Sequence, residues 1–419
     1  VTGVPQRAAI VGAGLAGDRC AFGLRQAGFD GTITLIGAEP VRPYDRPPLS
    51  KAVLKSVGAE DEIFYRSDAE YAAAGIDLML GRTVVDASLR EQSLKMSTGE
   101  TLAYDALVIA TGSRLREVDS LPRGMDGVFY LRDRSDALAL RTALDTGGRV
   151  AVIGGGVIGL EAAAAAAARS LPVTVVEPAP RIMGRACGAI VASWLAERHH
   201  NAGVSIRCGV GLASVQRGDG AYRLALTDGS TVEAEIIIVG VGVVPETSLA
   251  EKLGLLVAPE GIVVDGHGRT SEPSVFAAGE VAFHFNARVS THERQENWFH
   301  AAAHGEHVGR SIVEPGADYS ELSGFWTDQY EVSLQSTGRA LAGQDVIRGD
   351  MSDGRFVVFH LDGDVLVGAS GVNSASELRQ AKTLIRNGTR VDAAKLADPL
   401  IKIGAATLQE FDHDATDNA

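Results

Sequence analysis

Cysteine is scarce: three in 419 residues, Cys20, Cys187 and Cys208, far apart and odd in number. That pattern implies no disulfide framework and fits a reducing cytoplasm. Basic charge is in deficit as well, with 39 Lys and Arg against 53 Asp and Glu and a formal net charge of −14. Such a balance argues against general binding to nucleic acid or to an anionic membrane surface. Long apolar runs are missing. The most apolar stretches, residues 236–244 and the alanine run 162–168, are too short to cross a bilayer. No positively charged segment followed by an apolar core stands at the start, so no signal peptide is expected. The remainder, 45% hydrophobic and 22% charged, suits a soluble globular chain with two or three sizeable cores.

Glycine is abundant instead, at 49 residues, and two of its clusters carry a mechanism. Residues 8–11 form a short apolar run that ends in Gly12-Ala13-Gly14-Leu15-Ala16-Gly17. A helix-compatible segment, 18–27, and a β-rich run, 32–36, follow and lead to Glu39. Strand, GxGxxG, helix, strand and acid make a dinucleotide-binding βαβ unit. Gly12 permits the tight turn, Gly14 lets backbone approach a pyrophosphate, and Gly17 lets helix and strand pack closely. The order recurs from residue 150: strand 150–153, Gly154-Gly155-Gly156-Val157-Ile158-Gly159, an alanine-rich helix, strand 173–176 and Glu177. Two complete units in one chain imply two dinucleotides, an electron-carrying flavin and a nicotinamide. Glu177 can accept hydrogen bonds from both ribose hydroxyls and repels a 2′-phosphate, which favours NADH. Arg181, four residues on, keeps NADP open.

Between the units, prolines at 43, 47 and 48 forbid regular structure until Leu49 in the loop Arg42-Pro43-Tyr44-Asp45-Arg46-Pro47-Pro48-Leu49-Ser50-Lys51. It reads equally as an active-site wall or as a solvated surface loop. Residues 76–102 look like hairpin material, with strands at 76–80, 82–86 and 94–96. A buried strand then enters the small-residue turn Ala110-Thr111-Gly112, and a second strand enters Gly240-Val241-Gly242. Residues 298–312 and 375–388 read as helices, 319–372 as strand-rich, and the acidic tail after Leu408 as frayed.

These motifs, with Tyr130-Leu131-Arg132, Phe276-Ala277-Ala278-Gly279, Glu296-Asn297-Trp298 and Phe325-Trp326-Thr327-Asp328-Gln329-Tyr330, make the chain resemble the FAD- and NADH-dependent ferredoxin reductases of oxygenase systems, the glutathione-reductase-like type. The resemblance spans roughly residues 7–405. It implies an α/β chain with two Rossmann-like dinucleotide-binding domains plus an α+β C-terminal domain. The expected division is 1–112 with 240–318 for FAD, 113–239 for NADH, 319–407 for the C-terminal domain and 408–419 as a flexible tail. The implied partner is a [2Fe–2S] ferredoxin, Rieske-type or P450-coupled, that feeds a terminal oxygenase.

The same resemblance assigns roles. Gly12, Gly14, Ala16 and Gly17 would hold the FAD pyrophosphate, and Glu39, Arg46, Lys51, Val84, Ala110, Thr111, Gly112, Arg132, Gly279 and Glu280 would complete the FAD set. Lys51 is expected near the flavin N5 edge and Trp298 beside the isoalloxazine, on the side facing the ferredoxin. Gly154, Gly156, Ile158, Gly159, Glu177 and Arg185 would hold NADH, with Gly242 also in the cofactor set and Glu161 near the nicotinamide. The bland alternatives are a dipole-satisfying acid at Glu161 and simple core packing at Trp298.

Three positions depart from the family. Ala38 stands where an acid usually holds the adenosine ribose, with Glu39 one residue later. Glu280 replaces an Asp that bonds the ribityl chain, and His300 and His304 replace Asn and Gln. The two histidines lie four apart and either share a helix face toward a metal or hydrogen-bond the flavin and tune it with pH. No carboxylate or Cys completes a metal set, so no metal is expected.

On the implied mechanism, a hydride passes from NADH to FAD and electrons leave one at a time to the ferredoxin. Two other classes use the scaffold. A disulfide or peroxide reductase needs a redox thiol near the flavin, and residues 40–51 contain none. An apoptosis-inducing-factor-like binding protein usually carries targeting segments and long insertions. Serine at Cys20, Cys187 and Cys208 together is therefore expected to leave NADH-dependent reductase activity standing. Abolition of turnover in a folded, FAD-loaded triple variant contradicts a thiol-free mechanism.

Overall fold

The computed structural model describes residues 5–408. The expected frayed tail lies outside the described residues apart from Leu408. The chain divides into two compact units, Val1–Thr146 with Val241–Ser323, and Gly147–Gly240 with Gly324–Ala419. The helix Arg134–Thr146 falls in the first unit. Arg141, on the helix Arg134–Thr146, meets both carboxylate oxygens of Glu60 at 2.7 and 2.8 Å.

The first unit is built on a five-stranded parallel sheet in the order Val275–Ala277, Ala106–Ile109, Arg7–Val11, Thr32–Gly37, Ile76–Leu80. The central strands are continuous apolar runs because both faces are covered. Ile76–Leu80 is not a hairpin arm. It is the parallel edge strand beside Thr32–Gly37, and the hairpin material beyond it, Val84–Ser88, Ser93–Met96 and Thr101–Ala103, forms its own antiparallel sheet. Alternation marks a strand but not its partner, and Gly81, at φ +65°, turns the chain between the two sheets. The proline loop is also more regular than expected. Pro47–Ser50 is a 3₁₀ turn with proline at its first positions, where no N–H donor is required.

The first helix, Leu15–Gln26, lies against the long helix Trp298–Val313 at backbone contact. A Cβ at Gly305 would stand 2.3 Å from the Ala16 carbonyl oxygen, one at Gly309 2.3 Å from that of Cys20, and one at Gly23 2.7 Å from that of Glu306. In sequence, residues 298–312 have the pattern of a plain helix. The Gly305/Gly309 spacing of four, which places both on one face, is the signal for this close approach.

The second unit repeats the arrangement. Four parallel strands run in the order Val204–Cys208, Val173–Glu177, Val150–Ile153, Ile236–Val239. The helix Val157–Ala167 buries its alanines, Ala162 to Ala166, so that helix and sheet approach closely. The C-terminal part of this unit is a five-stranded antiparallel sheet, Gly324–Gln329, Val332–Gly338, Val365–Val372, Arg355–Asp362, Gln344–Asp350, with the helix Ala375–Arg386 packed on it. No described helix is long and apolar enough to cross a membrane.

Candidate dinucleotide sites

In the first unit the strand Arg7–Val11 delivers the chain to Gly12 at φ +119°, where a Cβ would lie 2.1 Å from the Ala110 carbonyl oxygen. Gly17 is as constrained, 1.9 Å from the Gly12 carbonyl oxygen by the same construction. Gly14 differs: a Cβ there meets nothing within 4 Å, and as N-cap it offers no side-chain acceptor to the helix. The space beside Gly14 is thus open at the positive end of the helix dipole, as a pyrophosphate requires. Gly279, at φ +76°, closes one side, since its Cβ would meet the Ala16 methyl at 2.5 Å. On the other side Thr111 Oγ1 donates to the Glu246 carbonyl at 2.7 Å, and Gly112 accepts from the Glu246 N–H at 2.9 Å. Gly242, at φ +95°, accepts from the Arg116 N–H.

Around this cradle two carboxylates and two guanidiniums form one network. Glu39 accepts from the Tyr44 hydroxyl at 2.6 Å and from Arg46 at 2.8 Å. Arg46 also donates to the Arg132 carbonyl. The Arg132 guanidinium lies 3.5 Å from Glu280, whose same oxygen accepts from Ser113 Oγ at 3.0 Å. Burial, with Glu280 opposing and Arg46 assisting, draws Arg132 below the ordinary arginine value. Ala38 is exposed, so the acid of this strand end is Glu39, held by the proline loop. The longer Glu280 is seated by Ser113 and Arg132.

Lys51 Nζ donates to the Pro47 carbonyl at 3.5 Å. Trp298, half-buried at the start of its helix, donates Nε1–H to Asp45 at 2.7 Å, which ties it to the same loop. Val84 packs against the cluster containing Val11, Ile36 and Ile109. Asp18 is a residue that sequence reading missed. It is fully buried in the first helix, paired with Arg66 and bonded by the Tyr71 hydroxyl at 2.7 Å. Removing one partner of such a pair costs about 3–5 kcal/mol. An acid inside an otherwise buried helix was its only signal.

The second unit presents the same cradle. Gly154 has φ +109°, Gly159 approaches the Gly154 carbonyl oxygen to 2.3 Å by the Cβ construction, and Gly156 is an uncapped N-cap with nothing within 4 Å. Ile158, in the first turn, is 43% exposed. Glu177 Oε2 accepts the Gly155 N–H and Oε1 the Ala179 N–H, each at 2.7 Å. The carboxylate is thus fixed at the strand end, and each oxygen keeps a second lone pair for a hydroxyl donor. Arg181 donates to the carbonyls of Cys187 and Gly184 at 2.7 and 3.2 Å, which commits the guanidinium that kept NADP open. Arg185 is exposed. Glu161 is 3% exposed and accepts from Thr327 Oγ1 at 2.6 Å.

Burial pushes the Cys20 thiol up to about 12 and the Cys187 thiol to about 11, so neither is a thiolate at neutral pH. His300 and His304 are buried, and their rings stack at 20° rather than converging on a point. Among the described residues no group of three His, Cys, Asp or Glu side chains is suited to a metal. Instead the two rings hold the backbone of one residue from both sides: the Gly279 N–H donates to His304 Nδ1 at 3.1 Å, and His300 Nε2 faces the Gly279 carbonyl at 3.4 Å.

Comparison with known proteins decides the family. Residues 6–305 match the family described as pyridine nucleotide-disulphide oxidoreductase, and residues 324–407 match the reductase C-terminal domain. The chain belongs to the pyridine nucleotide-disulphide oxidoreductase family. Within this family it is 40% identical over 395 residues to the ferredoxin–NAD(+) reductase component of the p-cumate 2,3-dioxygenase system of Pseudomonas putida, covering 94% of this chain and 96% of that one. It is also similar to the crystal structure of the ferredoxin reductase for the CYP199A2 system from Rhodopseudomonas palustris, with a TM-score of 0.92, 33% identity and coverage of 96% and 100%. The covalent putidaredoxin reductase–putidaredoxin complex follows at 0.89 and 33%, covering 95% and 97%. The family architecture of two dinucleotide folds and a C-terminal antiparallel sheet is the one described above.

The histidines give the site a pH dependence. Burial and then the charge of His292 lower His284 to about 4, and burial with mutual repulsion holds His300 and His304 well below 6.5. All three are neutral in the folded state. Above the ordinary value of 6.5 they cost no stability. As pH falls below it the unfolded chain binds protons that the folded chain refuses, and for His284 the loss continues to about 4. Thermal melting between about pH 7 and about pH 5 is expected to show a steep decline, made shallower by His300→Asn with His304→Gln. Equal slopes in parent and variant contradict the buried-neutral assignment.

Proposed function

We propose that this chain is an NADH-dependent ferredoxin reductase that draws electrons from NADH through FAD and delivers them singly to a [2Fe–2S] ferredoxin serving an oxygenase. The observation that carries the reading is the doubled glycine cradle, each copy with an uncapped helix N-terminus and a fixed carboxylate beyond the next strand. End-to-end similarity to ferredoxin–NAD(+) reductase components supports it. FAD, when bound, accepts a hydride from NADH and passes electrons to a one-electron carrier.

The residues would divide the work as follows. Gly12, Gly14, Ala16 and Gly17 admit the FAD pyrophosphate, and the Glu39–Arg46–Arg132–Glu280 network orients the adenosine and ribityl parts. Lys51 supplies positive charge near the ring edge, which favours the reduced anionic form, and Trp298 walls the ring with Asp45 as its anchor. Val84, Ala110, Thr111, Gly112 and Gly279 line the FAD site, and Gly242 joins the cofactor set. Gly154, Gly156, Ile158 and Gly159 admit the NADH pyrophosphate, Glu177 takes the ribose hydroxyls, Arg185 lies toward phosphate or ribose, and Glu161 sits at the nicotinamide. The functional division is 1–112 with 240–318 for FAD, 113–239 for NADH and 319–407 for the C-terminal domain. A cytoplasmic location follows from unpaired cysteines and a ferredoxin partner. A thiol-based reductase is disfavoured because the buried thiols are protonated.

The FAD-loaded chain, mixed with a [2Fe–2S] ferredoxin and cytochrome c, is expected to reduce cytochrome c only when the ferredoxin is present. It is expected to use NADH better than NADPH by about tenfold or more, because Glu177 repels the 2′-phosphate. Equal coenzyme rates contradict the role of Glu177, and no stimulation by any ferredoxin contradicts the function.

A further inference from the structure

The second unit holds a buried polar chain that the assignments above do not use. It begins at Tyr330, the first residue of the two-residue turn between strands Gly324–Gln329 and Val332–Gly338. Tyr330 has φ +56°, at a turn position where glycine is the usual choice, so the hairpin carries local strain. Its hydroxyl lies 2.8 Å from His199 Nδ1. His199 Nε2 lies 2.7 Å from Gln329 Oε1, Gln329 Nε2 donates to Thr327 Oγ1 at 3.0 Å, and Thr327 Oγ1 donates to Glu161 Oε1 at 2.6 Å. His199, Gln329, Thr327 and Glu161 are at most 3% exposed.

The polarity of the whole chain follows from its end. The Thr327 hydroxyl donates to Glu161 and itself accepts from the Gln329 amide N–H. That sets the Gln329 amide with its nitrogen toward Thr327 and its oxygen toward His199. His199 then carries its proton on Nε2, and Nδ1 accepts from Tyr330. Every donor points toward Glu161, and no member is left with a clash of like polarity. Thr327 and Gln329, two apart on one strand, share its buried face, which is how one strand contributes two consecutive links. Burial holds His199 below the ordinary histidine value, so the ring is neutral and the tautomer single.

We propose that Tyr330, His199, Gln329 and Thr327 are a positioning relay that fixes the Glu161 carboxyl group in one orientation, and so sets how the C-terminal strand supports nicotinamide binding. The inference rests on the assignment of Glu161 to the nicotinamide. None of the four relay residues touches the coenzyme in this account; they act through Glu161.

The test is a double-variant cycle on the FAD-loaded full chain, read both as NAD(+) affinity by calorimetry and as kcat/KM for NADH with ferricyanide. Thr327→Val keeps the shape and removes the donor. It is expected to weaken both readouts by about tenfold, the loss of a hydrogen bond to Glu161. Thr327→Ser restores them. Combined with Glu161→Ala, Thr327→Val is expected to add nothing further. Gln329→Met, which cuts the relay one link earlier, is expected to behave in the same coupled way and serves if Thr327→Val does not fold. Additive losses, or parent-like binding in Thr327→Val while Glu161→Ala is impaired, overturn the relay alone. Parent-like behaviour of Glu161→Ala overturns the nicotinamide assignment and the relay with it.

Discussion

Backbone-to-backbone contact at glycine is the constraint on which both sites depend. At Gly12, Gly17, Gly154 and Gly159 the space for a Cβ is already taken by a carbonyl oxygen of the facing segment or the same turn, or the backbone has a positive φ. At Gly305 and Gly309 the long helix presses on the first helix in the same way. A methyl at any of these positions separates the elements or changes the turn. The consequence is spatial economy: strand end, helix start and the Gly279 turn converge, while Gly14 and Gly156 are free of such contacts and leave open space at the helix start.

Polar networks then hold what the glycines bring together. In the first unit Glu39, Arg46, Arg132 and Glu280 balance two negative against two positive charges, and Ser113 seats the longer glutamate. Asp18 and Arg66 do the same inside the core. In the second unit Glu177 is fixed by two backbone amides and Glu161 by a side-chain chain through Thr327. A carboxyl group held by donors of fixed direction keeps its lone-pair geometry, which is what directional hydrogen bonding demands.

The glycine cradles, the parallel strands around them and the long helix were legible because each rests on local spacing: GxGxxG after an apolar run, or period 3.6 over many residues. The partner of a strand was not, so Ile76–Leu80 was read into a hairpin when it is a sheet edge. Side-chain partners across long sequence separations were also invisible. His300 and His304 could be placed on one helix face, but their grip on Gly279 and the stacking of His300 on His284 depend on tertiary contacts. Asp18 with Arg66, and Glu161 with Thr327, are separated by 48 and 166 positions and carry no local signature. The six-residue segment ending at Tyr330 was visible as a family mark, whereas its link to Glu161 required the fold.

The two cradles serve one electron path from NADH outward, rather than static binding of two nucleotides. Anaerobic rapid mixing of the FAD-loaded chain with NADH, followed by the visible flavin absorbance, tests it most directly. The absorbance is expected to be lost at least as fast as ferredoxin-coupled turnover and to return when oxidised ferredoxin is added. Loss slower than turnover, or bleached protein that does not recover with ferredoxin, would contradict it.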